Sequence, residues 1–532
     1  METYDAIVIG SGHNGLVAAV YLARAGWRVL VLEGAEYAGG AVRSEELTRP
    51  GLIHDVFATN MNLFRGSPVA AELGAELERA GLAYATSDRP FANVYPDGRA
   101  LRVLADREAT LAGLREHDAA DADGWEALDR SYERLAPALF AIYGSRLDAR
   151  TLARRAVALA PSLRGGRLGE LARLALSSTR ELGESHLHSR EARALLACWG
   201  MHLDFGPDVS GGALFPFLEA FTDMRTGISI ARGGASRLVD ALVSLLREAG
   251  GELRVGADVA RIEVRGGRAA GVVLADGERL AARRAVVANV TPTQLYGRLL
   301  ERPLPAPYRY GPGTMMIHLA LRGPIPWRAG EDLASFAYVH VAPFVDDLAR
   351  TYAQACEGLL PDEPLLVVGQ SSAVDGTRAP AGEHVVWVQV RALPARIRGD
   401  GAGEITEREW AAAAEPYADR VLAKLERYAP GVGALVGARV VLSPAELERR
   451  NPNLVGGDSL AGSMHLSQNL RLRPFAGAHD YETAVDGLLM TGAACWPGAG
   501  VNALSGYHVA QKLTARRGDL ARSAVRRLRG VH

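Results

Sequence analysis

The chain has 532 residues, 48% of them hydrophobic and 23% charged, and its formal net charge is -1. This balance is ordinary for a globular protein of two or three domains, and it does not favour nucleic acid as a partner, which calls for a basic face. The cysteines Cys198, Cys356 and Cys495 lie far apart in sequence, so neither a disulfide framework nor a metal site is expected. A basic region followed by an apolar run is absent from the N-terminus, and no uncharged apolar run approaches the ~18 residues of a membrane span, so we expect a cytoplasmic location.

The N-terminal segment predicts a buried parallel βαβ unit. Asp5–Gly10 is expected to form a strand, Asn14–Ala25 a helix and Arg28–Glu33 a second strand. Both strands are almost entirely apolar, which is typical of parallel strands that are covered on both faces.

A glycine-rich turn joins this first strand to the helix. Residues Gly10–Gly15 read GSGHNG, a GxGxxG pattern in the strand-to-helix context that indicates dinucleotide binding. Its glycines allow a tight turn and close approach of a pyrophosphate, and the helix N-terminus offers free N–H groups to the phosphates. Glu33 follows Gly15 by 18 residues, where a carboxylate accepts hydrogen bonds from an adenosine ribose. We therefore assign the dinucleotide contacts to Gly10, Ser11, Gly12, Asn14, Gly15 and Glu33.

Further along the chain, two more blocks predict buried strands and helices, separated by regions of different character. Residues 105–225 are rich in alanine, leucine and arginine and predict helices. Residues 314–392 contain alternating apolar runs, which predict antiparallel strands of a second sheet. The elements expected in the two blocks are helix Ala235–Ala249, strands Glu252–Val255, Val259–Arg265, Ala270–Leu274, Ala285–Asn289 and Gly487–Thr491, and helix Val501–Leu513.

The residues that follow Glu33 separate FAD from NAD. The segment GGAVR at Gly39–Arg43 resembles the FAD-containing superfamily of phytoene desaturases and amine oxidases, in which such a segment wraps the flavin pyrophosphate. The resemblance implies FAD as the cofactor and gives this role to Gly40 and Arg43. The segment GLLMTGAACWPGAGVNALSGYHVAQ resembles the family's flavin-contacting C-terminal segment, which gives backbone contacts to Gly492 and Val501. The middle block is similar as well, and there Val259 would contact the adenine.

The fold implied by this resemblance is an α/β Rossmann-type FAD-binding domain, discontinuous and glutathione-reductase-like, with an α+β substrate domain that carries an antiparallel sheet. We predict the FAD-binding domain at residues 1–75, 230–300 and 480–515. The substrate domain would comprise residues 76–229 and 301–479, and residues 516–532 would form a basic tail.

The residues for direct chemistry are chosen by their expected position near the flavin: His54, His465, Trp496 and Asn502. Members of the phytoene-desaturase branch often carry histidine where this chain has Trp496, and again where it has Ala461, so the substrate stays open. The chain's only lysines, Lys424 and Lys512, do not match the active-site lysine of the amine oxidase branch, which disfavours amine oxidation.

The primary hypothesis is an FAD-dependent dehydrogenase or desaturase that moves a hydride from a C–H bond of a lipophilic or secondary-metabolite substrate to the flavin. One alternative is an isomerase or saturase without net dehydrogenation. Another is a non-enzymatic prenyl- or protein-binding protein on the same fold, as in the Rab GDP-dissociation inhibitors. The oligomeric state is left open.

Arginines in residues 140–180, among leucines and alanines, suit either a solvated helix face or contact with an anionic bilayer. The same two interpretations apply to the basic tail. The arginines of the first region are Arg146, Arg150, Arg154, Arg155, Arg164, Arg167, Arg173 and Arg180.

Overall fold

The computed structural model of the protein describes residues 2–159, 166–478 and 480–515. Arg164 and the predicted basic tail lie outside these residues. The strands are β1 (Glu2–Ile9), β2 (Val29–Leu32), β3 (Ser44–Glu45), β4 (His54–Asp55), β5 (Tyr84–Ser87), β6 (Phe91–Val94), β7 (Ala100–Val103), β8 (Ile228–Ala231), β9 (Glu252–Arg254), β10 (Val259–Arg265), β11 (Arg268–Leu274), β12 (Arg279–Ala288), β13 (Gly313–Leu321), β14 (Tyr338–Val341), β15 (Leu359–Leu360), β16 (Leu365–Gly369), β17 (His384–Leu393), β18 (Gly399–Asp400), β19 (Val436–Leu442) and β20 (Leu488–Met490).

Helices connect these strands and form a separate helical region between β7 and β8. They are α1 (His13–Arg24), α2 (Asn62–Arg65), α3 (Pro68–Arg79), α4 (Arg107–His117), α5 (Ala119–Tyr143), α6 (Ala149–Leu159), α7 (Arg167–Leu176), α8 (Thr179–His186), α9 (Arg190–Gly200), α10 (Leu214–Thr226), α11 (Ser236–Glu248), α12 (Val345–Glu357), α13 (Ser371–Val374), α14 (Trp410–Tyr428), α15 (Val432–Leu435), α16 (Pro444–Arg450) and α17 (Leu504–Thr514). In the part of the chain described here, no helix has the length and hydropathy to cross a membrane.

The first sheet is assembled from both ends and the middle of the chain. Its order is β10-β11-β12-β1-β2-β9, and β20 pairs with β12 beyond the stretch that β11 covers. β1 runs parallel to β2 and β12, β9 extends β2 in parallel, and the β10–β11–β12 meander is antiparallel. The inner strands are buried along most of their length, as expected for a sheet covered on both faces. Helices α1, α11 and α17 pack beside it and share its hydrophobic cluster.

The second sheet has the order β19-β13-β17-β16-β14-β6-β7. Its pairs are antiparallel except for β14 with β6, which are parallel and come from distant parts of the chain. One face packs on α14, and the other faces α9 and α10. The second face therefore lies between the sheet and the helical region.

The C-terminal helix begins later than the sequence predicted. The prediction placed its start at Val501, but α17 begins at Leu504. The side chain of Asn502 accepts a hydrogen bond from the Leu504 amide at 2.9 Å and holds the preceding residues in a loop. This local side-chain bond turns the chain just before the helix, where the prediction had the helix already formed.

Candidate active site

The turn between β1 and α1 has no room for side chains. A Cβ atom on Gly15 would lie 2.3 Å from the carbonyl oxygen of Gly10, and one on Gly12 would lie 2.9 Å from Nδ2 of Asn289. Gly10 has a φ of +90°, which glycine adopts without strain. Within the described chain, no side chain caps the N-terminus of α1 at Gly12. The first amides of this helix are therefore available to an anion such as a phosphate.

Asn289 is a site residue that the sequence prediction did not assign. Its Nδ2 donates hydrogen bonds to the carbonyl oxygens of Gly10 at 3.2 Å and Gly12 at 3.4 Å. A Cβ on Gly492 would lie 2.7 Å from its Oδ1. One side chain thus holds the N-terminal glycine turn against the C-terminal loop. The available signal was its position directly after the buried strand β12.

The carboxylate of Glu33 lies at the end of β2 beside the glycine turn. Its Oε2 accepts hydrogen bonds from the amide and hydroxyl of Ser11 at 2.9 and 2.7 Å, and its Oε1 accepts one from the Ala35 amide at 3.0 Å. The carbonyl oxygen of Glu33 accepts the Ala257 amide at 2.7 Å, which brings the chain leading into Val259 alongside. The predicted ribose and adenine residues are therefore neighbours in space.

The segment Gly39–Arg43 lies against the same turn. Gly39 pairs with Gly12 as a parallel bridge, and a Cβ on Gly40 would lie 3.4 Å from the Cα of Gly12. The Arg43 guanidinium lies over the ring of Tyr37, partly exposed on the surface of this segment. Both glycine segments therefore present backbone to one space, as a bound pyrophosphate requires.

His13 lies inside the glycine turn, at the start of α1. The residue is surrounded by protein yet only half-buried, so part of its surface borders a cavity or cleft. Burial lowers the pKa of His13 to about 4, so the imidazole is neutral near neutral pH. Its Nε2 lies 3.0 Å from Nδ2 of Asn14. The glycine turn, the uncapped helix and the cavity together fit the diphosphate of FAD.

The C-terminal loop between β20 and α17 is tied to both ends of the cradle. The Gly492 amide donates to Oγ of Ser505 at 2.9 Å, and the Gly506 amide donates to Oδ1 of Asn14 at 3.3 Å. Val501, the other predicted contact, is buried in this loop. These contacts bring the predicted N-terminal and C-terminal cofactor segments together.

Arg473 is a second residue that the prediction missed. Its guanidinium is fully buried and donates to the carbonyl oxygens of Ala493, Ser463, Leu460 and Gly462 at 2.7 to 3.3 Å. A buried guanidinium needs such acceptors, and here they bind the C-terminal loop to residues 460–463. The sequence around Arg473, NLRLRPFA at residues 469–476, mixes arginines with apolar residues and gives no sign that this arginine is buried.

Trp496 and Asn502, two of the predicted catalytic residues, both lie in the C-terminal loop. Nε1 of Trp496 donates to the carbonyl oxygen of Ser145 at 2.8 Å, and its ring packs edge-on against Tyr143. The Asn502 amide donates to loop carbonyls and lies within reach of the Tyr143 hydroxyl. In these positions both residues shape the loop, and their catalytic assignment stays a prediction.

The two predicted histidines lie on other segments of the chain, and Met464, next to His465, packs against the loop at Gly498 and Ala499. Nε2 of His54 lies 2.8 Å from the Thr48 hydroxyl, its ring packs against His318, and burial lowers the pKa of His54 to about 4. His465 lies 2.7 Å from the carbonyl oxygen of Asp204 and 3.2 Å from the Tyr352 hydroxyl. Each has a structural partner, and a role for either in catalysis stays a prediction.

Comparison with known proteins decides between the families of this fold. The model of the family described as flavin containing amine oxidoreductase matches residues 15–371, which is more than half of the chain. The chain belongs to this family. Members carry a flavin, in agreement with the cradle described above. When bound, FAD would supply the two-electron acceptor of the reaction.

Individual relatives of this flavin-containing amine oxidoreductase support the same family assignment. Pyridine nucleotide-disulfide oxidoreductase domain-containing protein 2 of Mus musculus is 27% identical, over 95% of this chain and 92% of its own length. The phytoene dehydrogenase of Streptomyces griseus is 28% identical over 83% of this chain and 82% of its length. A solved structure of a putrescine oxidase variant has a TM-score of 0.61 at 16% identity, covers 97% of this chain and 100% of its own, and supports the fold alone.

These findings confirm the predicted FAD cofactor, the mixed α/β fold and the likeness to phytoene desaturases. The protein is an FAD-dependent oxidoreductase. The prediction of a dehydrogenase is supported over the isomerase, saturase and binding-protein alternatives, which none of the relatives named above favours.

Proposed function

We propose that the protein dehydrogenates a lipophilic small molecule, passing a hydride from a C–H bond to the flavin. The observation that carries the proposal is the hydrophobic cluster between the second sheet and helices α5, α9 and α10. It reaches from the helices to the inner face of the sheet, and its large members are Trp125, Trp199, Phe217, Phe221, Tyr338 and Trp387. A substrate bound against such side chains would meet few polar groups, which favours an apolar substrate.

The two lysines support a substrate that is not an amine. Lys424 is buried on α14 and pairs with Glu363 at 3.1 Å, and Lys512 on α17 pairs with Asp480 and Glu482. Each ammonium group is thus committed to a carboxylate. Named relatives include phytoene and hydroxyneurosporene desaturases, whose substrates are lipophilic.

The test is anaerobic reduction of the flavin in the purified holoprotein. The loss of the flavin's visible absorption measures the reduction. The probes are phytoene and limonene in detergent micelles, with putrescine as the polar amine. We expect bleaching by a hydrocarbon and none by putrescine. Bleaching by putrescine, or none by either hydrocarbon, would contradict the proposal.

We further propose that residues 1–75, 230–300 and 480–515 form the FAD-binding domain, and that residues 76–229 and 301–479 form the substrate domain. Support comes from the sheets, since β1, β2, β9 to β12 and β20 share one and β6, β7, β13, β14, β16, β17 and β19 share the other. Limited proteolysis followed by mass spectrometry would test these boundaries, with cleavage expected in the exposed connections next to them, just after α3 and within residues 301–311. Cleavage confined to the middle of either sheet would contradict them.

We also propose that α6 and α7 contact an anionic bilayer. Large apolar side chains are exposed on both helices, with Val157 at 76%, Leu168 at 61% and Leu176 at 62%. Arg150 and Arg154 lie on α6 beside them. Arg146 and Arg180 do not add to this surface because they pair with Asp480 and with Asp208 and Asp346.

Flotation with vesicles tests this contact. The wild-type protein is expected to float with vesicles that contain phosphatidylglycerol and to remain behind with pure phosphatidylcholine. Replacing Val157 and Leu176 by glutamate should abolish flotation, while the same change at the exposed Val255 on the opposite domain should not. Equal flotation of both variants would contradict the proposal.

A further inference from the structure

A glutamate on α10 lies near the C-terminal loop. Glu219 is surrounded by protein yet only half-buried, so part of its surface borders a recess, called the cavity below. Its Oε1 lies 3.4 Å from Nδ2 of Asn60. Asn60 precedes α2, whose Leu63 touches the loop where a Cβ on Gly500 would lie 2.6 Å from its Cδ1.

Tyr143 joins this glutamate to the loop from a second side. The residue ends α5, and its ring packs against Trp496 while its hydroxyl faces Asn502. Tyr143 is close enough to Glu219 for the carboxylate charge to affect its ionisation. Like Glu219, it is deeply placed and half-buried. Both side chains therefore lie close to the segment that the family resemblance places at the flavin.

The charges around Glu219 leave it without a cation. Asp223 lies one turn further along the same helix, fully buried, and accepts a hydrogen bond from Asn62 at 3.0 Å. The other ionisable groups that face the pair are Tyr132, Tyr143 and Tyr338. Among the residues described, no arginine or lysine forms an ion pair with Glu219. Burial raises the pKa of Glu219 to about 7, and burial together with Glu219 raises that of Asp223.

We propose that Glu219 is the catalytic proton acceptor of the FAD-dependent reaction, acting on a lipophilic substrate that loses a proton beside the carbon that loses hydride. This inference rests on the proposed function. The C–H bond at one carbon breaks and its electron pair leaves with the hydride to the flavin, which is reduced. The proton on the adjacent atom passes to the Glu219 carboxylate, and a double bond forms between the two substrate atoms. The substrate is oxidised by two electrons.

A base of this kind is most effective when its pKa is near the working pH, because it is then both ionised and sufficiently basic. The position of Glu219 gives it that property, since the cavity removes most of its hydration and supplies no cation. Asp223 is hydrogen bonded to an amide and sealed from the cavity, so it serves as a neighbour and not as the acceptor.

The experiment compares the wild-type holoprotein with Glu219→Gln, Glu219→Asp and the control Glu133→Gln. Glu133 is a 64% exposed glutamate that faces α10 from α5 through Arg225, and it lies outside the cavity. The first measurement needs no substrate: the visible absorption of the bound flavin is followed from about pH 5 to about pH 9, on both sides of the expected ionisation. The second is the rate of anaerobic flavin reduction by phytoene in micelles.

We expect the wild type and Glu133→Gln to show an ionisation near pH 7 in the flavin absorption, absent in Glu219→Gln and present but displaced in Glu219→Asp. With phytoene, the wild-type rate should rise with pH through this ionisation. Glu219→Gln should lower it about 100-fold or more, the contribution typical of a general base, and Glu219→Asp should restore part of it.

The two measurements test the proposed function and the role of Glu219 separately. If phytoene leaves the wild-type flavin oxidised, limonene replaces it in the rate measurement. If both leave the flavin oxidised, the hydrocarbon substrate of the proposed function is wrong, and the substrate-free titration alone decides the placement of Glu219. An ionisation that survives Glu219→Gln, or a Glu219→Gln reduction rate equal to that of wild type, would overturn the assignment of Glu219 as the proton acceptor.

Discussion

The FAD side and the substrate side of the catalytic space are built by different means. On the predicted FAD side, glycines at fixed spacing leave room for a ligand to approach the backbone, as Gly10, Gly12 and Gly15 show. On the proposed substrate side, the residues come from distant elements, such as Tyr143 on α5 and Glu219 on α10. A cofactor that is the same throughout a family can be recognised by a short sequence pattern. The shape of a substrate cavity depends instead on which helices pack together in the fold.

The largest expected change in stability comes from the buried ion pairs of Arg378. Arg378, fully buried, bonds both oxygens of Asp55 at 2.9 and 3.1 Å, and also Asp375 at 3.0 Å. Asp55 in turn accepts the amide of Ala235 just before α11. Arg378→Met leaves two buried carboxylates without their cation, and we expect the free energy of unfolding to fall by about 3–5 kcal/mol. Urea denaturation of the holoprotein measures it.

The matched control is Arg439→Met, since Arg439 also bridges two carboxylates but at the surface, with Asp419 and Glu415 both more than 60% exposed. Its loss should lower stability by about 1 kcal/mol or less. Equal losses in the two variants would show that Arg378 is not a structural link between the sides.

The FAD side is tested by Gly15→Ala. The added methyl carbon would lie 2.3 Å from the Gly10 carbonyl and 2.8 Å from Nδ2 of Asn289, so the turn must open. We expect FAD affinity to fall about 100-fold, since a strained turn costs on the order of 3 kcal/mol. Isothermal titration of the deflavinated protein with FAD measures the change.

Gly74→Ala, on the outer helix α3, provides the control for a glycine-to-alanine change. In the described chain, a Cβ on Gly74 meets no atom within 4 Å. This change should leave FAD affinity unaltered and raise stability by up to about 1 kcal/mol through helix propensity. If Gly15→Ala bound FAD as tightly as Gly74→Ala, the backbone cradle would not be the binding determinant.

The same contrast explains what the sequence could predict. The strand, turn and helix around Gly10–Gly15, and the acid Glu33, are adjacent in sequence, so local pattern and function coincide. Contacts with residues that are distant in sequence determine the roles of Asn289, Arg473 and Arg378. The sequence around a single polar residue does not indicate whether that residue is buried. The start of α17 was misplaced for a related reason, because the Asn502 side chain competes locally with the helix that the apolar periodicity predicts.

The substrate side is tested by the pH dependence of stability in Glu219→Gln. The folded-state pKa of Glu219 is raised from 4.5 to about 7, so its protonated form favours the folded protein. The wild type should therefore lose stability relative to Glu219→Gln as the pH rises from 4.5 to about 7, and no further above that. The difference at pH 8 should be at most about 3 kcal/mol, because one pKa unit corresponds to 1.36 kcal/mol.

Urea midpoints of the two holoproteins, measured at several pH values, follow this difference. Glu133→Gln should track the wild type throughout, since its side chain is 64% exposed. A constant gap between wild type and Glu219→Gln at every pH would mean that Glu219 does not titrate in the cavity, and that the substrate side carries no buried base.

The smallest expected change in stability is at Trp496, where a structural role can be distinguished from a catalytic one. Its Nε1 donates to the Ser145 carbonyl, whereas Nε1 of Trp387 has no hydrogen-bond partner among the described residues. Both indoles are nearly buried, at 6% and 5%. Replacement by phenylalanine therefore removes similar volume at both sites but a hydrogen bond at only one. Trp496→Phe should lose about 1 kcal/mol more stability than Trp387→Phe.

The rate of flavin reduction distinguishes the two possible roles of Trp496. If Trp496 only holds the loop, the flavin of the folded Trp496→Phe variant should still be reduced at the wild-type rate. A rate loss of 100-fold with unchanged stability would instead make Trp496 a catalytic residue and move the substrate side of the comparison into the C-terminal loop.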